Sequence, residues 1–134
     1  MLPIIYSYIS GLLTLLIVDG VMIWFVILPT FKKHIPTYLN TDMNFRGVIA
    51  FNLFYILVIL LLVMLPWVED GISFTKILIN SALFGFGAYM TYELTSMSVM
   101  KWWSWEMVTI DTLWWTFLTV IIGGVMYQIY KFFI

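Results

Sequence analysis

Three acidic residues, Asp19, Glu93 and Asp111, lie inside long apolar stretches of this sequence. An ionised carboxylate within a bilayer costs about 2.5–3.5 kcal/mol even on a lenient scale. Such residues therefore tend to face the interior of a bundle, where they share hydrogen bonds, water or ions. Because carboxylates are hard oxygen ligands, the chemistry they favour is the binding of protons or of alkali and alkaline-earth cations.

The composition predicts that these residues lie in a membrane. The chain has 134 residues, of which 63% are hydrophobic and 10% are charged, and its mean hydropathy is +1.05. Soluble proteins carry about 25% charged residues, so an integral membrane protein in a lipid bilayer is predicted. The net charge of -1 argues against a nucleic-acid partner. The sequence contains no cysteine, which excludes disulfides, thiolate metal sites and a cysteine nucleophile.

Four apolar segments are long enough to cross a bilayer, which takes about 20 residues each. They are residues 4–28, 48–67, 77–99 and 107–130. We therefore expect an all-α fold, in which residues 1–134 form a single transmembrane domain built as a four-helix bundle. Pro29 and Pro36 are predicted to lie in the loop between the first two segments.

The basic residues predict an orientation for the bundle. Four of them, Lys32, Lys33, Arg46 and Lys101, lie on the face reached after the first segment, and Lys76 and Lys131 lie on the other. The positive-inside rule then places the 29–47 loop in the cytoplasm and both termini outside. The tryptophans of KWWSWE, residues 101–106, are predicted to form an aromatic belt at the membrane interface.

Every predicted helix places a polar group in the half of the membrane next to the 29–47 loop. At 1.5 Å per residue, Asp19 lies roughly 14 Å from that face, Glu93 about 9 Å and Asp111 about 6 Å. The predicted pocket is formed by Asp19, Asn52, Tyr55, Tyr89, Glu93, Ser96 and Asp111, with Tyr89 and Ser96 as the hydrogen-bond partners of Glu93. His34, Arg46 and Lys101 are predicted to lie at its mouth.

The same residues have structural alternatives. Buried polar side chains also join membrane helices, at about 0.6 kcal/mol per hydrogen bond, and a protonated Glu93 bonded to a carbonyl would be purely structural. Asp111, near the start of its helix, is also favoured by the helix dipole. His34 without cysteines makes a poor haem or zinc site, so no cofactor is implied and the identity of any bound metal stays open.

The string ALFGFGAYMTYELTS, residues 82–96, closely resembles the signature of a bacterial family of small four-span membrane proteins. That family is filed as a domain of unknown function, number two-one-seven-seven in its series. The sequence is also similar to it at Asp19, at FNLFY (residues 51–55), at Pro66, and at Asp111 with Trp114. It differs by Glu93 for Asp, Met22 for Trp and Trp115 for Gly. The resemblance implies four spans in a bacterial inner membrane and no established activity.

The four segments also read as two tandem helical hairpins. Asp19 and Glu93 fall at similar depths in the first and third segments, and the pairs Asn52-x-x-Tyr55 and Asp111-x-x-Trp114 do likewise in the return segments. This pattern indicates a parallel pseudo-repeat around the pocket.

Three functions fit this pattern. The first is a proton- or cation-binding site of a channel or transporter, formed by a homo-oligomer because four short helices enclose little space. The second is the binding or modification of a lipid or isoprenoid within the bundle. The third is an accessory subunit of a membrane complex. Since no nucleophile or metal triad is marked, the sequence favours a binding protein over an enzyme and predicts no catalytic residue.

Overall fold

The structure is a computed structural model that describes residues 1–36, 44–68, 71 and 73–134. All regular secondary structure in these residues is helical, which confirms the predicted all-α fold. Helix α1 is Leu2–His34, α2 comprises residues 45–68, α3 is Phe74–Val99 and α4 is Trp105–Phe133.

Three helical stretches in the described residues, Leu2–His34, Phe45–Met64 and Trp105–Phe133, are long and apolar enough to cross a membrane. Helix α3 has 26 residues, which corresponds to about 39 Å, but it carries more polar side chains. Gly85 of α3 lies against Thr119 of α4, and Ser81 lies against Gly123. Since these contacts run antiparallel along both helices, α3 lies at the same depth as α4.

A π-helical segment precedes a proline in each of the first two helices. Residues Ile23–Ile27 come just before Pro29 in α1, and Ile59–Met64 come just before Pro66 in α2. Proline lacks an N–H, and its ring clashes with the carbonyl four residues earlier, so a widened turn accommodates it within a helix. Helix α1 therefore continues through Pro29 to His34, and the prediction that Pro29 lies in the loop was wrong.

Helices α2, α3 and α4 each begin at a capping side chain. Hydrogen bonds join Gly47 N–H to Asn44 Oδ1 at 3.3 Å, Lys76 N–H to Ser73 Oγ at 3.3 Å, and Met107 N–H to Ser104 Oγ at 3.2 Å. Each cap satisfies one of the backbone N–H groups that a helix start leaves unpaired. The starts of α2 and α4, which are the ends nearest the candidate site, are fixed in this way.

Helix α4 packs against both α3 and α1. A Cβ atom added to Gly85 would lie 2.6 Å from Thr119 Oγ1, and one added to Gly11 would lie 2.7 Å from the sulfur of Met126. Glycine at these positions lets the helices approach closely, as small residues do at interfaces between membrane helices. The tightest backbone contacts of the bundle therefore involve α4.

Neighbouring helices run antiparallel, in the order of two helical hairpins. The Tyr8 hydroxyl of α1 donates a hydrogen bond to the Leu53 carbonyl of α2 at 2.8 Å. The core between the helices is aliphatic at its centre, with fully buried side chains at Leu15, Ile56, Ile59, Met64, Ile77, Leu118, Ile122 and Met126. Polar side chains at the end where α1 finishes and α2 begins are thus separated from the opposite end by packed hydrocarbon.

Candidate functional site

Three buried carboxyl groups lie at one end of the bundle, on three different helices. The exposed fractions of Asp19 in α1, Glu93 in α3 and Asp111 in α4 are 5%, 0% and 6%. Asp111 interacts electrostatically with both of the others. Carboxyl groups are rarely buried so completely unless they are paired, so each needs an identifiable partner.

The partner of Glu93 is a tryptophan from the loop between α3 and α4. The Trp103 Nε1–H donates a hydrogen bond to Glu93 Oε2 at 2.7 Å. The sequence had predicted Tyr89 and Ser96 in this role. The other carboxyl oxygen, Oε1, is buried and makes no hydrogen bond to another group in the described residues.

A strained turn brings Trp103 to this position. Trp102 has a φ of 69°, which lies in the left-handed region that bulky residues rarely adopt. The turn reverses the chain between α3 and α4, so that Trp102 remains 73% exposed while Trp103 is only 9% exposed. The predicted aromatic belt thus contains one residue, Trp103, that belongs to the interior.

The Asp111 carboxyl lies within hydrogen-bonding reach of the Glu93 carboxyl and of Trp115. Ionised carboxylates only accept hydrogen bonds, whereas a protonated one also donates. A hydrogen bond between Asp111 and Glu93 therefore requires a proton on one of them. The two carboxyl groups can therefore be hydrogen-bonded to each other only when they share such a proton.

Asp19 is held by a second tryptophan. The Trp114 Nε1–H of α4 donates a hydrogen bond to Asp19 Oδ1 at 2.8 Å. This bond joins the first helix to the last across the bundle. Asp19 and Glu93 thus have the same kind of partner, an indole N–H from another segment of the chain.

Two tyrosines lie deeper in the same region. The Thr119 hydroxyl donates to its own helix at the Trp115 carbonyl, at 2.6 Å, so the Tyr55 hydroxyl donates to Thr119 Oγ1, also at 2.6 Å. The Tyr89 ring stacks on Trp115 with the centroids 4.1 Å apart and an angle of 4° between the planes. Tyr89 therefore contributes a ring face to the site.

Two of the predicted site residues form local hydrogen bonds. Asn52 Nδ2 donates to the Val48 carbonyl of its own helix at 2.6 Å, and Ser96 is buried and hydrogen-bonded to Tyr92. Asparagine and serine commonly form such local bonds. The side chains of Asn52 and Ser96 therefore find hydrogen-bond partners within their own helices, α2 and α3.

The three residues predicted at the pocket mouth have different surroundings. His34 Nε2 lies 2.7 Å from Glu106 Oε2, and Lys33 Nζ lies 3.4 Å from the same oxygen. This ion-pair group joins the end of α1 to the start of α4. Arg46 and Lys101 are exposed.

A cavity of about 550 Å³ opens between the four helices in this half of the bundle. Its wall is mainly aromatic and contains a single acid. The described lining residues are Ile23, Ile27, Phe31, Phe51, Phe54, Tyr55, Ala88, Tyr89, Tyr92, Asp111 and Trp115.

The predicted pocket residues divide between this cavity and the protein around it. Tyr55, Tyr89 and Asp111 line the cavity. The other four, Asp19, Asn52, Glu93 and Ser96, are buried outside its described lining.

Sequence reasoning missed the residues that pair with the acids. Trp103 and Trp114 donate hydrogen bonds to Glu93 and Asp19, and Thr119 accepts one from Tyr55. Glu106, also missed, pairs at the surface with His34. The sequence did contain one signal, because the indole N–H of a buried tryptophan normally donates a hydrogen bond. Tryptophans close to buried acids were therefore candidates for their partners.

The acids do not form an obvious metal site. In the described residues no group of three or more histidine, cysteine, aspartate or glutamate side chains is placed to hold a metal ion. Calcium takes six to eight oxygen ligands and magnesium six. A proton or an organic group suits the donor set of this cavity better than a divalent cation does.

Comparison with known proteins places the chain in a family. The sequence model of the family described as "Predicted membrane protein (DUF2177)" matches residues 4–128. A search of curated proteins and a search of solved structures each found no match. The family match covers nearly the whole chain and confirms the resemblance of residues 82–96. The apolar helices and this match together establish that the chain is a member of the DUF2177 family of predicted membrane proteins.

Proposed function

We propose that the chain is a membrane protein that binds an exchangeable proton or cation at a site formed by Asp19, Glu93 and Asp111. The observation that carries this proposal is the contact between two buried carboxyl groups, Glu93 and Asp111. Two adjacent carboxylates in an apolar interior cannot both ionise without strong repulsion. A proton shared between them, or a cation in its place, relieves that repulsion.

The difference in access to the cavity supports a division of roles among the acids. An indole N–H stabilises the charged form of a carboxylate by donating to it. Glu93 and Asp19 each receive such a bond, from Trp103 and Trp114. Asp111 lies within reach of Trp115 as well, but of the three acids it alone is among the described residues that line the cavity. Asp111 is therefore the acid best placed to exchange its proton with the outside.

A complete path across the membrane requires more than this site. Beyond Tyr55 and Thr119 the core is hydrocarbon, and the buried Ser7 and Ser81 bond there to the carbonyl groups of Met126 and Ile77. One subunit thus presents a site open to one half of the membrane. We propose that transport uses a movement of the helices or the axis of a homo-oligomer.

The orientation is proposed from the exposed basic residues. Lys32, Lys33, Arg46 and Lys101 are exposed at the site end, and Lys76 and Lys131 are exposed at the other end. The larger positive charge places the site end in the cytoplasm by the positive-inside rule. Because the natural chain has no cysteine, single cysteines introduced at Lys101 and Lys131 can be labelled from one side of the membrane. Labelling of Lys101→Cys from outside the cell would contradict the proposed orientation and support the opposite one.

Infrared spectroscopy of the protein in nanodiscs tests the proton site. Wild type should show the C=O band of a protonated carboxylic acid at neutral pH, and the band should be lost in Asp111→Asn. Glu106→Gln is the matched control because it removes an exposed carboxylate, which is ionised at neutral pH. Absence of the band in folded wild type, or its persistence in Asp111→Asn and Glu93→Gln alike, would contradict a shared proton.

Transport is tested separately in liposomes. Proton flux driven by a pH gradient should fall in Asp111→Asn and remain in Glu106→Gln. Flux equal to that of empty liposomes in wild type would rule out a channel or carrier and leave only a binding site.

A further inference from the structure

The cavity between the helices combines one carboxyl group with walls of aromatic rings. Seven of its eleven described lining residues are aromatic, Asp111 is the acid, and none of the eleven is basic. Its volume of about 550 Å³ falls in the range of roughly 300–1,000 Å³ that is typical of small-molecule sites. The cavity therefore has the size of a ligand site and the charge to select a positive one.

The rings form a corner rather than a flat wall. Tyr89 stacks on Trp115, and Tyr55 meets Trp115 nearly edge-on, with centroids 5.2 Å apart and an angle of 79° between the planes. Phe51 also meets Trp115 at 87°. Cations bind the faces of such rings within about 6 Å of the ring centroid. A positive charge beside Asp111 would meet rings from α2, α3 and α4.

We propose that this cavity binds an organic cation in which a positively charged nitrogen is joined to a hydrophobic body. The nitrogen lies against Asp111 and the rings of Tyr89 and Trp115. The body lies against the aliphatic side of the cavity, at Ile23 and Ile27 of the π-helical segment. This inference rests on the proposed function, since it names the kind of cation that the carboxyl cluster takes.

Other occupants fit the same walls less well. A divalent metal would need several oxygen ligands, whereas the wall supplies the Asp111 carboxylate and tyrosine hydroxyls, one of which, Tyr55, is already bonded to Thr119. A neutral lipid or isoprenoid would fill the aromatic part but would offer no opposite charge to an ionised Asp111. The combination of rings and one acid matches an ammonium group attached to hydrocarbon.

The cavity opens on the outer surface of the bundle. Phe54 of α2 is 68% exposed and Tyr92 of α3 is 52% exposed, although both line the cavity. The opening therefore lies between α2 and α3, on a surface that contacts lipid in a membrane protein. A hydrophobic cation that partitions into the bilayer would reach Asp111 from the side.

Cation binding and proton binding compete at Asp111. The groups that face it are Glu93 from α3 and Asp19 from α1, with Tyr89, Tyr92 and Tyr55 around the cavity. A cation is attracted to Asp111 only when that carboxyl is ionised. The affinity for the cation should consequently fall as the pH is lowered.

Calorimetry on the full chain in detergent tests the proposal with two probes of the same shape. One is benzyltrimethylammonium, and the other is neopentylbenzene, in which a neutral carbon replaces the charged nitrogen. The cation should bind at least about tenfold more tightly than the neutral probe, the ratio expected when rings and a carboxylate meet a desolvated charge. Asp111→Asn should abolish the preference, and Glu106→Gln should keep it.

The comparison of the two probes on wild type decides the proposal even if a variant fails to fold. Equal binding of both probes would overturn it, as would a co-purified neutral lipid that the cation does not displace. Absence of cation binding in a protein that still shows the carboxylic acid band would overturn this inference and leave the proton site standing. If the carboxylic acid band were also absent, the proposed function would be contradicted together with this inference.

Discussion

Two kinds of contact hold the bundle together, and they differ in the buried polar groups that they involve. The glycine contacts, at Gly11, Gly85 and Gly123, leave no room for a Cβ atom against the neighbouring helix. The indole pairs, Glu93 with Trp103 and Asp19 with Trp114, bring large side chains together. The first kind is a contact of small residues, whereas the second is a hydrogen bond between two large side chains.

The two kinds of contact also differ in the hydrogen-bond partners that their buried polar groups use. Near the glycine contacts, Ser7 and Ser81 donate to backbone carbonyls at 2.8 Å, so they need no charged partner. At the indole pairs, a carboxyl group is buried, and Glu93 and Asp19 each accept a hydrogen bond from one N–H of another segment. The glycine contacts can therefore be disrupted only by steric overlap, and the indole pairs by the loss of a single donor.

The largest effect is expected at a glycine contact. A Cβ added to Gly85 would lie 2.8 Å from the Trp115 carbonyl oxygen, and backbone cannot move aside as a side chain can. Gly85→Val should therefore destabilise the fold by about 3 kcal/mol, the upper part of the usual range for overpacking. Thermal unfolding in detergent measures the loss.

Gly87→Val is the matched control, since a Cβ there would meet no atom within 4 Å. If both valine variants unfold alike, the close approach of α3 and α4 at Gly85 is not what holds the hairpin together.

An intermediate effect is expected at an indole pair. Trp103→Phe keeps an aromatic ring but removes the N–H that Glu93 Oε2 accepts. A buried group deprived of its partner costs about 1–3 kcal/mol, so the stability should fall by about 2 kcal/mol. Chemical unfolding in mild detergent measures it.

The control is Trp102→Phe, the neighbouring residue, which is 73% exposed. Equal stability of Trp102→Phe and Trp103→Phe would show that the indole pair contributes nothing beyond its ring.

The smallest effect is expected at the surface, where Glu106 pairs with His34 and Lys33. Exposed ion pairs contribute little and are screened by salt. Glu106→Gln should lower the unfolding temperature slightly in low salt and not at all in high salt. A large loss that persists in high salt would mean that this group anchors α1 to α4 as firmly as the buried pairs do.

The helical fold and the placement of the three acids at one end of the bundle could be predicted from the sequence. Runs of apolar residues define helices directly, and counting along them places Asp19, Glu93 and Asp111 at one end. The end of α1 could not be predicted, because Pro29 normally stops a helix and here a π-helical segment accommodates it.

The hydrogen-bond partners of the acids could not be predicted from the sequence in this way. Trp103 reaches Glu93 only because Trp102 adopts a positive φ, which no sequence rule assigns to a tryptophan. Asn52 looked like a site residue, but it bonds to its own helix. The cavity depends on the packing of rings from several helices, and that packing is set by tertiary structure alone.

The spacing of the two indole pairs along the chain has a consequence for biosynthesis. Glu93 and Trp103 are ten residues apart, so the pair can form as soon as α3 and its following loop have been made. Asp19 and Trp114 are 95 residues apart. Until the ribosome has made α4, Asp19 must remain in the membrane without its indole partner, and an unpaired acid there costs about 2.5–3.5 kcal/mol. The helix that carries Asp19 is thus made well before the residue that pairs with its carboxyl group.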